Sequence, residues 1–402
     1  MKSKIIQKVN RVYSQQNPSK YLKNLNGKKI ELLINNRKDF FLRKLKLPDK
    51  IFKGSSILDL GCGSGQNTIF YDYCGAECTL VEYDRKSFLN AKSLFKRFSK
   101  NKFKIYNKDL FKFKSKKKFD FVISNGVAHH THDIKKNIEI AINFLKKGGM
   151  LILGIGETNG FFQRHFQRYI LYNLSSDEKE IIDLSKLLFR ENLIRAKKFG
   201  GRTEEQIIYD TYLNPKIETL SFEEVQNIFN KKKLYLYSLD EDSLDLESFY
   251  DIRKKHFSLI KNKKDNFSNI NFFFNAINNF SLSKEKSQIF KKEIKKINKL
   301  GKIQNIFSSL FNDQSINNTK EIYFHKYLTK YLKAIRSFKN LDLLNEKYLI
   351  QFLNEIHGTL KILKIKDKHS KIKKLNNLLK KNKILFRKFN GKGMNYFVGI
   401  KY

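Results

Sequence analysis

The 402-residue chain is long enough to bury a large core, and its charge is one-sided: 81 Lys and Arg against 39 Asp and Glu give a formal net charge of +42 at pH 7. Its three cysteines, Cys62, Cys74 and Cys78, sit in one short segment, which excludes a disulfide framework and a complete zinc or iron–sulfur ligand set. Lysine is accompanied by abundant Asn, Ile, Phe and Tyr, with 3 Pro and no Trp, the mark of a low-GC codon bias, so the charge alone assigns no polyanionic partner.

The N-terminus, MKSKIIQKVNRVYSQQ, lacks the apolar block and cleavage site of a signal peptide, and no run of about eighteen uncharged apolar residues follows. A soluble, cytoplasmic protein without a transmembrane segment is expected. Residues 10–45 read as helical and polar, so residues 1–50 are expected to form an N-terminal helical cover.

Within residues 51–240, short apolar runs alternate with amphipathic segments between Gly54 and Ile155, the pattern of an α/β fold with a parallel sheet. The runs are SSILDLG, ECTLVEYD, FKIYNKD, FDFVISNG and GMLILGI. Helices are expected near 67–73, 86–98 and 134–145, the last closed by Lys146-Lys147-Gly148-Gly149. A helical insert covers about 160–215, with GGRTEEQIIYDTYLNP read as a loop. Ser221-Phe222-Glu223-Glu224 caps a further helix, and KLYLYSLD is a strand.

Residues 241–383 form a Lys/Asn-rich extension with helical apolar spacing, as in Ile372, Leu375, Leu378 and Leu379. Residues 384–402 read as a hairpin through Asn390-Gly391-Lys392-Gly393 that completes the sheet.

LDLGCGSGQN, residues 58–67, directly follows the first apolar run. Gly61, Gly63 and Gly65 permit positive φ and a close approach to the main chain, so a ligand is expected across this turn. A phosphate loop needs GxxxxGK[ST] and a dinucleotide fingerprint needs GxGxxG; GxGxG preceded by Asp59 is neither.

LDLGCGSGQ resembles the first motif of the class I S-adenosylmethionine-dependent methyltransferases, and later elements follow in that family's order. The resemblance implies a doubly wound, Rossmann-like seven-stranded sheet with a helical cover and a helix-rich C-terminal extension. It implies S-adenosyl-L-methionine as cofactor, held by Asp59, Gly61, Cys62, Gly63, Gly65 and Gln66. Glu82, beside Tyr83, takes the position of the acidic residue that accepts from the ribose hydroxyls, with Asp84 as the alternative. Asp109 and Leu110 fall where the family meets the adenine amino group, and Asn125 and Gly126 where the chain passes the methionine part.

The implied reaction moves a methyl group from a sulfonium to a nucleophile, which demands alignment more than a dedicated catalytic group. His129, His130 and His132 adjoin the transfer zone, and His130 is the candidate base or acceptor-orienting residue. Neighbours in one loop cannot all converge on one ion, so no metal is expected. SNGVAHH lacks the proline-aromatic motif of enzymes that methylate exocyclic amines of bases, which favours a small-molecule or lipid-like acceptor. RNA, reached by the basic C-terminal helices, is the alternative, followed by a non-catalytic assembly protein. The sequence leaves the oligomeric state open.

Overall fold

Ser56–Leu60 (SILDL) is buried at every position, as a central parallel strand covered on both faces must be. In the computed structural model, which describes residues 9, 11–13, 26–200, 202–240, 306, 326, 330, 333, 346–387 and 393–402, this strand is β1. It pairs in parallel with β2 (Glu77–Glu82) on one side and β4 (Phe119–Asn125) on the other. β3 (Phe103–Asn107) extends the sheet beyond β2, and β5 (Leu145–Gly156) lies beside β4. β7 (Met394–Lys401) enters antiparallel between β5 and β6 (Leu234–Leu239). The order is β3-β2-β1-β4-β5-β7-β6 in a seven-stranded sheet.

Successive strand residues alternate between two cores. Ile57, Leu80, Ile123, Ile152 and Val398 meet α1 (Gly27–Arg43), α2 (Ile69–Tyr73) and α3 (Arg85–Phe98) on one face. Leu58, Val81, Val122, Leu151 and Phe397 meet α4 (Ile134–Asn143) and α9 (Phe222–Lys231) on the other. Local chemistry sets the helix starts. Asp84 accepts from Ser87 N–H to begin α3, Asp133 accepts from Lys136 N–H to begin α4, and Ser221 with Glu224 forms a capping box on α9.

The helical insert comprises α5 (Thr158–Leu174), α6 (Glu178–Leu188), α7 (Arg190–Gly200) and α8 (Glu204–Ile208). It shares one core with α10 (Glu346–Leu363) and α11 (Lys368–Lys381): Phe162, Phe166 and Leu184 pack in one cluster with Phe352, Ile356, Leu375 and Leu379. The end of the extension is therefore joined to the insert, with its lysines outward and Leu375 and Leu379 inward.

Three local expectations are corrected. GGRTEEQIIYDTYLNP is not a plain loop: Thr203 caps α8 in a capping box, and a single π turn follows at Tyr209–Leu213. The helix expected to reach Leu145 stops at Asn143, and the Lys-Lys-Gly-Gly run belongs to the bulged start of β5. The terminal hairpin has one strand among the described residues, β7. Ile384–Phe386 is buried in the helical cluster, where side chains rather than a sheet partner accept its N–H groups. The turn residues 390–392 lie outside the described residues.

Candidate active site

β1 ends at Leu60 and the chain turns at once, with Gly61, Gly63 and Gly65 all at positive φ (79°, 57° and 76°). Packing explains two of them. A Cβ on Gly61 would stand 2.7 Å from the Val127 methyls, and one on Gly65 would stand 3.2 Å from the Ala91 Cβ of α3. Gly63 differs from both, because its N–H donates to Glu82 Oε2 at 2.7 Å.

The Glu82 carboxylate, half-buried at the end of β2, also accepts from Asp84 N–H at 2.8 Å through Oε1. Desolvation pushes its pKa up to about 7, against the pull of those two donors and a weaker one from Tyr83 N–H. An ionised carboxylate offers about four lone-pair sites, so two acceptor positions remain after both backbone donors are served. Asp84 is the weaker alternative because its buried carboxylate already caps α3 through Ser87 N–H at 2.7 Å.

Other expected residues stand around this turn. Asp59 is buried and accepts from Thr68 Oγ1 at 2.6 Å, and burial pushes its pKa to about 7. Cys62 is buried with its thiol held well above the ordinary range by burial and by Glu82 and Asp59, so it is no nucleophile. Gln66 is buried beneath the turn. Tyr83 is 48% exposed beside Glu82. At the end of β3, Asp109 accepts from Phe111 N–H through Oδ1, and Leu110 is buried next to it. Asn125 ends β4 with Oδ1 held by the Tyr396 hydroxyl at 3.1 Å, and Gly126, at φ 73°, donates its N–H to Gly154 O.

The three histidines diverge. His129 is buried, and its Nδ1 accepts from Gly156 N–H at 3.3 Å, which leaves the proton of the neutral ring on Nε2. Burial, then the neighbouring His130, Arg164 and His165, hold it neutral. His130 turns into the cover: Nδ1 lies 3.0 Å from Lys216 O and 3.1 Å from Asn214 Nδ2, and Nε2 lies 3.8 Å from Asp210 Oδ1. Both ring nitrogens thus face protein groups. His132 lies against Phe111, with ring centroids 4.1 Å apart and the planes tilted by 42°. Among the described residues no group of three His, Cys, Asp or Glu is arranged to hold a metal ion.

Several site neighbours were not read from the sequence. Arg37 of α1 is buried and donates to Asn67 Oδ1 at 2.8 Å, which brings a guanidinium to the glycine turn. Arg168 of α5 donates to the carbonyls of Thr211, Tyr212 and Asn214 at 3.0, 2.9 and 2.8 Å. These bonds satisfy the wide π turn that carries Asp210 toward His130, and Arg202 pairs with Asp210 at 2.7 Å. In a chain where lysine dominates the cations, retained arginine was the available signal.

Residues 33–180 match the family model described as a methyltransferase domain. Comparison with curated proteins gives no match. Similar solved structures include YcgJ from Bacillus subtilis, 15% identical with a TM-score of 0.30, covering 46% of this chain and 63% of that one. PKMT2 from Rickettsia typhi in complex with AdoHcy is 16% identical with a TM-score of 0.41, covering 53% and 44%. The N-methyltransferase NodS from Bradyrhizobium japonicum in complex with S-adenosyl-L-homocysteine is 18% identical with a TM-score of 0.27, covering 30% and 60%. The chain spans less than two thirds of each of these structures, and such scores identify neither acceptor nor reaction.

The family's cofactor is S-adenosylmethionine, and the donor set fits it: open acceptors at Glu82 for a diol, an acceptor at Asp109 for an exocyclic amine, and a cation at Arg37 for a carboxylate. Residues 33–180 are thus similar to a methyltransferase domain of the S-adenosylmethionine-dependent kind.

Proposed function

We propose that this protein transfers a methyl group from S-adenosylmethionine to a small-molecule or lipid-like acceptor. The observation that carries the cofactor half is Glu82, a carboxylate tied to the glycine turn by two backbone donors while two acceptor positions stay open. When bound, the cofactor supplies a methyl group on a sulfonium, an electrophile that reacts once a nucleophile is held in line with it.

The chain's residues then bind, orient and exclude water. Glu82 accepts from the ribose hydroxyls, Asp109 from the adenine amine, and Arg37 offsets the charge of the amino-acid carboxylate. His129 presents a donor at Nε2 rather than a base. His130 acts on position: its contacts with Lys216, Asn214 and Asp210, together with the bond from Glu218 N–H to His129 O, fasten the cover onto the loop after β4. A cover bonded to this loop suits a small acceptor, because it brings the chain's own residues over the reacting atoms.

The test is calorimetric titration of full-length protein with S-adenosylmethionine and S-adenosylhomocysteine, then incubation with methyl-labelled cofactor and separate small-molecule, lipid and tRNA fractions. Micromolar binding of both ligands and label in the small-molecule or lipid fraction are expected. No binding by folded protein would overturn the reading. Label in tRNA would replace the acceptor half, an outcome favoured by the exposed Lys368, Lys373, Lys374, Lys380 and Lys381 of α11.

A further inference from the structure

The cover over the loop after β4 contains more positive charge than its own carboxylate pairs. Three guanidinium groups, Arg164, Arg168 and Arg202, interact electrostatically with Asp210. Arg202 holds Asp210 at 2.7 Å, and Arg168 is taken up by three carbonyls of the π turn and its end. Arg164 makes no ion pair and no hydrogen bond among the described residues; its guanidinium lies over the Phe161 ring, 4.9 Å from the centroid. Burial and the nearby Arg202 both weigh against its charge, so an anion brought to it would relieve a cost the fold already bears.

Arg164 is also placed to meet a ligand. Phe161 joins it to the transfer zone, because the same ring lies 6.0 Å from the His129 ring, centroid to centroid. Gly393 packs directly against this pair, with no side chain between: a Cβ there would stand 2.7 Å from Arg164 Nη1 and 2.9 Å from the Phe161 ring. A second polar group is left over beside the same ring. His165, 5.6 Å from Phe161 between centroids, is buried with Nε2 lacking any hydrogen-bond partner, and a buried polar atom of that kind is rare without a ligand or water to meet it.

We propose that Arg164 anchors an anionic group, a carboxylate or a phosphate, on the methyl acceptor, with Phe161 packing against the acceptor body between that group and the loop after β4. The proposal rests on the methyltransferase reading above. The planar guanidinium matches both anions through two parallel N–H bonds, whereas an ammonium would act as a point charge.

The test uses full-length protein saturated with S-adenosylhomocysteine and titrated with benzoate and, separately, phenyl phosphate. Wild type is expected to bind one of the two, and that one identifies the anion. Arg164→Gln should weaken that probe tenfold or more while its affinity for S-adenosylhomocysteine is kept, and Arg164→Lys should fall between. Failure of both probes on the S-adenosylhomocysteine-loaded wild type, or equal binding by Arg164→Gln, overturns the anion site and leaves the methyltransferase reading standing. Loss of S-adenosylhomocysteine binding in Arg164→Gln also overturns it, by placing Arg164 in the fold or the cofactor site. Wild type that binds no S-adenosylhomocysteine overturns the methyltransferase reading itself.

Discussion

Glu82 at the end of β2 and Glu355 in α10 both fasten a separate stretch of chain by accepting backbone N–H groups, but they do so to different degrees. Glu355 is buried and accepts four bonds: Lys383 N–H at 2.7 Å, Ile384 N–H at 3.1 Å, Leu385 N–H at 2.7 Å and the Gln351 amide at 2.8 Å. Its acceptor capacity is filled by its own protein. Glu82 receives two, from Gly63 and Asp84, at the end of β2, which lies between β3 and β1. The acceptor capacity of Glu355 is filled by the protein, whereas half-buried Glu82 keeps open the positions to which the proposed cofactor would bring its donors.

The comparison breaks if the two residues respond alike. Glu355→Ala should have the largest effect of all on stability. It leaves three backbone donors beneath the 383–385 segment without their acceptor, and a loss of about 3 kcal/mol or more is expected in urea titration. Its affinity for S-adenosylhomocysteine should stay within about threefold of wild type, since α10 lies in the helical cluster away from the glycine turn. Glu82→Ala should invert that pattern. The ligand loses its diol acceptors, which corresponds to about 2 kcal/mol, or roughly thirtyfold in calorimetric affinity, with a smaller change in stability. A Glu355 variant that loses the ligand but keeps its stability would make the two carboxylates equivalent and sink the distinction.

The sequence made the glycine turn and the parallel strands legible because both are local. SILDL, ECTLVE and FDFVISN are short apolar runs that only a covered sheet can bury, and Asp84, Asp133 and Ser221 announce the helices they cap. The carboxylates Asp59, Glu82 and Asp109 stand out in the sequence because each falls at or beside the last residues of an apolar run. What stayed hidden depends on contacts across long separations. Ile384–Phe386 has the composition of a strand, yet its N–H groups go to Glu355 and Gln163, which no window on the sequence could pair with it. The π turn at Tyr209–Leu213 is held from outside by Arg168, some forty residues earlier in the chain. Gly61 and Gly65 read as ligand contacts, whereas their neighbours Val127 and Ala91 show that close packing already requires them.

The smallest predicted effect sharpens the role of Glu82 by its sign. Burial pushes Glu82 up to about 7, so below that pH the carboxyl is protonated and its O–H takes up part of the acceptor capacity a diol needs. Affinity for S-adenosylhomocysteine should therefore rise with pH from 5.5 to about 7.5, by less than about tenfold in total, and then level. Stability of the free protein should move the other way. Asp59, Glu82 and Glu157 all have pKa values raised to about 7 by burial, so each contributes stability that is fully present below the ordinary carboxylate range and lost as the pH rises through about 7. Asp59 and Glu157 are buried, engaged by Thr68 and by Asn159 and Gly160 respectively, so neither faces a ligand as half-buried Glu82 does. Glu82→Gln, measured by calorimetry across the same range, should flatten the affinity curve and leave most of the stability trend in place. If the slope in affinity persists in that variant, the titrating group lies elsewhere and Glu82 does not receive the diol.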